Sequence, residues 1–153
     1  MNAGRLVVVF GSGFKDTDLV AFGRDLAERN ALFVRNAVDL LEEADRLVPH
    51  FDGHRRKLGW NMFDAAGSVV FNIAESRGRN TEADRAHYLD VAEGSAHETS
   101  AGVCIADRLG LGPPDLRARI RRLVLEVTIM LSGMTRQIRL RSYEGPRRPR
   151  RPS

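Results

Sequence analysis

The stretch Ala65–Glu98, AAGSVVFNIAESRGRNTEADRAHYLDVAEGSAHE, decides how this chain folds. Apolar residues recur at helical spacing through Ala65, Val69 and Ile73, stop at Gly78 and Asn80, and resume at Ala86, Leu89, Ala92 and Ala96. That pattern is one helix, a tight basic turn at 77–80, and a second helix returning beside the first. Folding the pair about the turn brings Ala65-Ala66-Gly67-Ser68 within about one helical turn of Ala92 and Gly94-Ser95-Ala96. A mid-helix glycine costs about 1 kcal/mol against alanine. Close backbone approach at Gly67 and Gly94 is the expected compensation.

Working outward, the first of these helices spans about 54–76, with Leu58, Met62, Ala65, Val69 and Ile73 as its buried stripe. Its partner spans about 81–109, capped by Asn80 or Thr81, with Ala86, Leu89, Ala92, Ala96, Val103 and Ala106 inward. Gly110 followed by Leu111 marks its end, since glycine adopts the left-handed conformation cheaply. Pro113, Pro114 and Asp115 open a further helix with the stripe Leu116, Ile120, Leu123, Val127, Leu131, Met134 and Ile138. Before position 54, a helix runs from Asp16 or Thr17 through Leu19, Phe22, Leu26, Phe33, Ala37, Leu40, Ala44 and Leu47. Asn30 takes one seam position, where a polar residue sets register. Pro49 and Gly53 end this helix in the loop PHFDGH.

The expected fold is therefore all-α: an antiparallel up-down-up-down four-helix bundle over 14–143, with a short N-terminal extension and a disordered basic C-terminal tail. Leu40, Val69, Leu89 and Leu123 are expected to share its core. Residues 1–13 form the leader; their VVVFGSG superficially resembles a dinucleotide-binding turn, but Asp16 takes the third glycine position. Residues 144–153 alternate proline with arginine and have nothing to bury.

The composition is 42% hydrophobic and 29% charged, ordinary for one globular domain of this length. No apolar run approaches the ~18 residues of a membrane span. LVVVF is about half of a signal-peptide core. The cytoplasm is the expected compartment, with no membrane partner. The single cysteine, Cys104, excludes an internal disulfide and is expected to be a small buried core residue beside Val103 and Ile105. The net charge is +4, and Arg147, Arg148, Arg150 and Arg151 account for it: the chain up to 146 is balanced.

Asn72-Ile73-Ala74-Glu75, Gly78-Arg79, Tyr88-Leu89, Ala92-x-Gly94-Ser95 and Glu98 together resemble the four-helix-bundle proteins encoded in intervening sequences of bacterial 23S ribosomal RNA genes. Phe14-Lys15-Asp16 with Leu19, and Ala65-Ala66-x-Ser68-Val69, resemble that family's flanking segments, so the likeness covers about 14–140. Ser76 replaces the family's usual glycine and Asp64 its usual arginine. The family is similar in turn to the accessory protein of diversity-generating retroelements, a pentameric bundle that works with a reverse transcriptase and nucleic acid. The resemblance implies a homo-oligomer, five-fold, with no enzymatic activity and no cofactor.

Asn72, Glu75, Arg79, Ser95 and Glu98 are expected to form a hydrogen-bonded network that orients helices or subunits, with Glu75 pairing to Arg79 one turn on. A bundle-core di-metal site needs two Glu-x-x-His pairs. The chain offers only Asp84-x-x-His87, while His50 and His54 fall in a loop. For RNA or DNA, the candidates are Arg55, Arg56 and Lys57 opening one helix, Arg117, Arg119, Arg121 and Arg122 opening another, and Arg147, Arg148, Arg150 and Arg151 in the tail. The first two groups belong to the same end of an up-and-down bundle. Positive charge early in a helix opposes its dipole, which favours an anionic partner there. The alternative to nucleic-acid binding is a protein-interaction scaffold for a partner such as a reverse transcriptase.

Overall fold

The computed structural model describes the backbone of residues 16–143 and the side chains of 31–142. Its helices are α1 (Asp16–Leu47), α2 (Arg56–Gly78), α3 (Glu82–Leu109) and α4 (Pro114–Tyr143). The chain divides into two compact units between Leu32 and Phe33. In the first, Asp16–Leu32 is the opening of α1. The second, from Phe33 on, is the bundle. The leader, the tail and the side chains of Leu19, Phe22, Leu26 and Asn30 lie outside the described residues.

Contacts between neighbouring helices run in opposite numerical directions, as antiparallel packing requires. Asn36 and Glu43 of α1 reach Glu126 and Arg119 of α4. Across α2 and α3, Met62 lies against Gly102 and Ser68 against Ser95. Asp107, Asp90 and Glu82 of α3 meet Arg117, Arg139 and Ser142 of α4. Leu41 of α1 approaches Gly67 of α2.

Local chemistry sets the helix ends. Thr81 accepts from the Asp84 amide at 3.1 Å and caps α3. Gly110 closes α3 with φ of 63°, and the Leu111 amide returns to the Ala106 carbonyl at 2.8 Å. Pro49 and Gly53 break the chain into two short 3-10 turns, Val48–His50 and Gly53–Arg55, so α2 starts two residues later than its apolar pattern suggests. Between those turns Phe51 folds inward, is 2% exposed, and closes that end of the core.

The core forms two apolar clusters along the bundle. Leu40, Ala44, Leu47, Phe51, Met62, Val103, Leu116 and Ile120 lie in one, with Leu123 packed against it. Phe33, Ala37, Val69, Ile73, Leu89, Ala96, Val127 and Leu131 lie in the other. Leu40 and Leu123 are thus parted from Val69 and Leu89, against the expectation of a single core. Each cluster draws on all four helices, so the division is lengthwise and the bundle stands. It falls where Ser68 and Thr99 interrupt the apolar stripes of α2 and α3.

Four single-residue expectations are corrected. Cys104 is exposed, because it lies one 100° step beyond the buried Val103. Leu58 is exposed, and Gly59 takes the inward position against Phe51. A methyl at Gly94 would meet nothing and one at Gly67 only ordinary contacts with Leu41 and Phe71, so neither glycine marks a close α2–α3 approach. Gly102 does: a Cβ there would lie 2.7 Å from the Met62 Cβ.

Candidate functional site

The family-motif residues separate into two groups. At the middle of the bundle, the Asn72 amide donates to the Ser68 carbonyl at 2.8 Å and hydroxyl at 3.0 Å. Ser68 and Ser95 share a hydroxyl hydrogen bond of 2.9 Å across α2 and α3, and Ser95 donates back to the Val91 carbonyl. Thr99, fully buried, donates to the Ser95 carbonyl at 2.9 Å. Every hydroxyl in this band has a partner, as burial demands. Ser68 and Thr99 complete the network, and only their helical spacing from Asn72 and Ser95 signalled it.

Glu75 and Arg79 form the second group, at the α2–α3 turn. They make the expected i, i+4 ion pair, and the Arg79 guanidinium lies 4.5 Å above the centre of the Tyr88 ring. His87 meets Tyr88 edge-on at 5.5 Å. The Arg79 Nε is buried without a partner. Glu98 is exposed and joins neither group among the described residues. Ser76, in the place of a family glycine, is buried and donates to the Ile73 carbonyl at 2.7 Å. Asp64 is exposed.

The arginines opening α4 have partners inside the chain. Arg117, with its side chain 12% exposed, donates Nε to Asp107 at 2.7 Å and also reaches the Leu111 and Gly112 carbonyls. It thereby ties down the α3–α4 loop. Arg121 pairs with the same Asp107 carboxylate. Arg119 lies 3.4 Å from Glu43 and 3.5 Å from Asp115. Much of the dipole-opposing charge is thus balanced by carboxylates of α1, α3 and α4 itself. Arg122, Arg55, Arg56 and Lys57 have no carboxylate partner among the described residues. The tail arginines lie outside the described residues.

The Arg121 hydrogen bond holds the Asp107 carboxyl below its ordinary value; partial burial pushes the other way, and Arg117 adds to the lowering. A depressed folded value gives stability that is full above the unfolded value of about 3.9 and lost as pH falls through the folded one. Asp107→Asn should therefore cost about 1–2 kcal/mol at neutral pH, the range for charge-assisted bonds on a partly exposed group. Urea midpoints of the two proteins should converge as the solution is acidified below about pH 4. A gap that persists into strong acid would show that the charge is not what matters.

A shallow groove of about 400 Å³ lies between α3 and α4, lined by Glu93, Ser132, Thr135, Arg136, Arg139 and Leu140. Its charges are mixed, and Ser132 donates to Glu93. Among the described residues no three of His, Cys, Asp and Glu gather as a metal site: Asp84 serves the Thr81 cap and His87 lies against Tyr88. Among the described residues no helix is long and apolar enough to cross a membrane.

No relative among the curated proteins matches the chain. Of the solved structures, a Bacteroides thetaiotaomicron protein of the S23 ribosomal protein family, itself of unknown function, is similar with a TM-score of 0.62 and 15% identity, over 67% of this chain and 97% of its own. At that identity the likeness carries the fold alone. The profile of the family described as 23S rRNA-intervening sequence protein matches residues 29–133. That span takes in α2 and α3 whole, the hydroxyl bond that joins them, and most of α4, and the chain belongs to the 23S rRNA-intervening sequence protein family.

Proposed function

We propose that this chain is a non-enzymatic binding module that assembles with copies of itself, five being the expected number, and associates with RNA or DNA through arginines at its helix ends and in 144–153. The observation that carries the reading is the set Arg55, Arg56, Lys57 and Arg122. These cations belong to one end of the bundle and lack carboxylate partners among the described residues, while Arg117, Arg119 and Arg121 beside them are paired. Unneutralised arginines attract phosphates, and each contact is weak alone but multiplies in an assembly. Self-association draws support from the outward apolar side chains. Phe71 is 73% exposed on α2, and Leu125 and Ile129, one turn apart on α4, are 60% and 62% exposed. A second reading, a scaffold for a protein partner such as a reverse transcriptase, draws on that same apolar surface.

Titrating the purified full chain into a labelled RNA about 20 nucleotides long tests the first reading. With about four phosphate contacts, affinity should fall roughly 500-fold between about 50 mM and 0.5 M salt. No binding at the lower salt, with light scattering still showing an assembly, would favour the scaffold.

A further inference from the structure

We infer that copies of this chain join head to tail, the outward face of α2 on one copy seated on the outward face of α4 on the next. The inference rests on the self-association proposed above, is independent of nucleic acid, and names the two surfaces that meet.

On α2, Trp60, Asp64, Phe71 and Glu75 lie along one stripe, opposite the buried Met62 and Val69. Trp60 is 49% exposed and Phe71 73%. Asp64 has no cationic partner among the described residues, and Glu75 holds Arg79 while keeping 48% of its side chain exposed. On α4, Arg122, Leu125, Ile129, Gly133 and Arg136 form a second stripe, opposite the buried Val127 and Leu131. Arg122 and Arg136 have no carboxylate partner among the described residues. A Cβ at Gly133 would meet nothing, so a notch opens there between Ile129 and Arg136. One face thus sets a large ring between acids, and the other an apolar pair and a notch between bases.

The two stripes also stand at matching heights. Ser68 meets Ser95, and Glu93, two residues before Ser95, meets Ser132. Because α3 runs antiparallel to both its neighbours, Ser68 is level with Met130 on α4. Met62 against Gly102, with Asp107 between Arg117 and Arg121, gives the same offset nearer the other end. Counted from there, Phe71 is level with Gly133, Glu75 with Gln137 beside Arg136, and Trp60 with Arg122. Glu126, the acid at the height of Asp64, is turned to Asn36 of α1. Since α2 and α4 run in the same direction, a copy turned about an axis along the bundle meets the next with no slide along the helices. Phe71 then enters the notch at Gly133, Glu75 reaches Arg136, and Trp60 faces Arg122 at the rim. Absence of slide is what a closed ring requires of a head-to-tail contact. Packed on its own duplicate, either face would bring like charges together, which opposes pairing.

The test mixes two full-length proteins, each with one face blocked. Phe71→Asp closes the α2 face and leaves the α4 face intact; Ile129→Asp does the reverse. Both side chains are more than half exposed, so circular dichroism should show both proteins folded. By light scattering each alone should be a monomer where the unaltered chain is assembled. An equal mixture should form a dimer, because one good pair of faces remains and cannot propagate. A dimer from either variant alone would mean that like faces pair, and overturns the inference. A mixture that stays monomeric, or variants that assemble as the parent does, overturns it too, while self-association itself stands. The charges give a second measurement without any apolar change. Glu75→Gln and Arg136→Gln should each weaken assembly roughly fivefold, and the double variant hardly more than either single. Losses that multiply would mean that the two side chains do not meet, and overturn the pairing. An unaltered chain that stays monomeric leaves these faces to a different protein, and sinks both this inference and the self-association it rests on.

Discussion

Gly102→Val should lower the unfolding free energy by about 3 kcal/mol, measured by urea denaturation, or prevent folding outright. A Cβ at Gly102 would stand 2.6 Å from the Met62 Cγ and 2.7 Å from its Cβ. Met62 is 2% exposed, and its Cβ is fixed to the α2 backbone, so the methionine cannot swing clear. Either α2 and α3 part or the core repacks. Alanine makes a sharper test, because helix propensity favours it over glycine by about 1 kcal/mol. Gly102→Ala should nevertheless destabilise, as the contact outweighs the propensity. Met62→Ala should rescue Gly102→Val in part, with a coupling of about 1 kcal/mol or more between the two sites. A Gly102→Ala protein more stable than its parent would mean that α2 and α3 do not approach this closely.

The second large effect compares two phenylalanines. Phe51→Ala should cost about 3–5 kcal/mol, the range for removing a buried aromatic ring. Phe51 is 2% exposed and supplies the wall against which Gly59 packs, within 2.9–3.1 Å of where a Cβ would stand. Phe71, 73% exposed, should behave oppositely. Phe71→Asp should leave the thermal unfolding of the separated protomer within about 0.5 kcal/mol, as for an ordinary surface change. Its effect should appear in size: light scattering should show a smaller assembly than the parent. If Phe71→Asp instead unfolds the chain while Phe51→Ala is tolerated, the buried and exposed positions of the two rings have been exchanged.

Neither phenylalanine announced itself in the sequence. Phe51 stands in PHFDGH, among residues that mark a loop, and nothing local distinguishes a side chain that folds inward from one that points to water. Phe71 sits in the largely apolar run VVFNIA, where only the phase of the helix reveals that Val69 and Ile73 face in and Phe71 faces out. The helices themselves were legible because three- and four-residue spacing repeats many times in each: Ala37, Leu40, Ala44 and Leu47 are all buried, as are Leu116, Ile120, Val127 and Leu131. Repetition averages out local accidents. Single positions lack that protection, and Leu58, Gly94 and Cys104 each missed by a step or two of 100°.

The candidate site was legible only as far as its chemistry is local. Glu75 with Arg79 and Asn72 with Ser68 are i, i+4 pairs, and spacing reveals them. Arg119 with Glu43 joins residues 76 positions apart, and Arg121 with Asp107 joins 14 across a loop. Those pairings follow from the antiparallel order of α1, α3 and α4, which composition cannot supply. The sequence reads four arginines in six positions as a free basic cluster. Three-dimensional packing pairs Arg117, Arg119 and Arg121 and, among the described residues, gives Arg122 no carboxylate partner.

The hydroxyl band at Ser68, Ser95 and Thr99 bears on how the molecule tolerates change. A helix that slid by one turn would break the Ser68–Ser95 hydrogen bond, so alignment is anchored halfway up as well as at the connecting segments. The link at 79–81 is thereby relieved of measuring length, whereas 48–55 carries Phe51 into the core. The 79–81 link can be lengthened while the helices keep their stations, provided Thr81 still caps α3, leaving that end of the molecule open to new recognition.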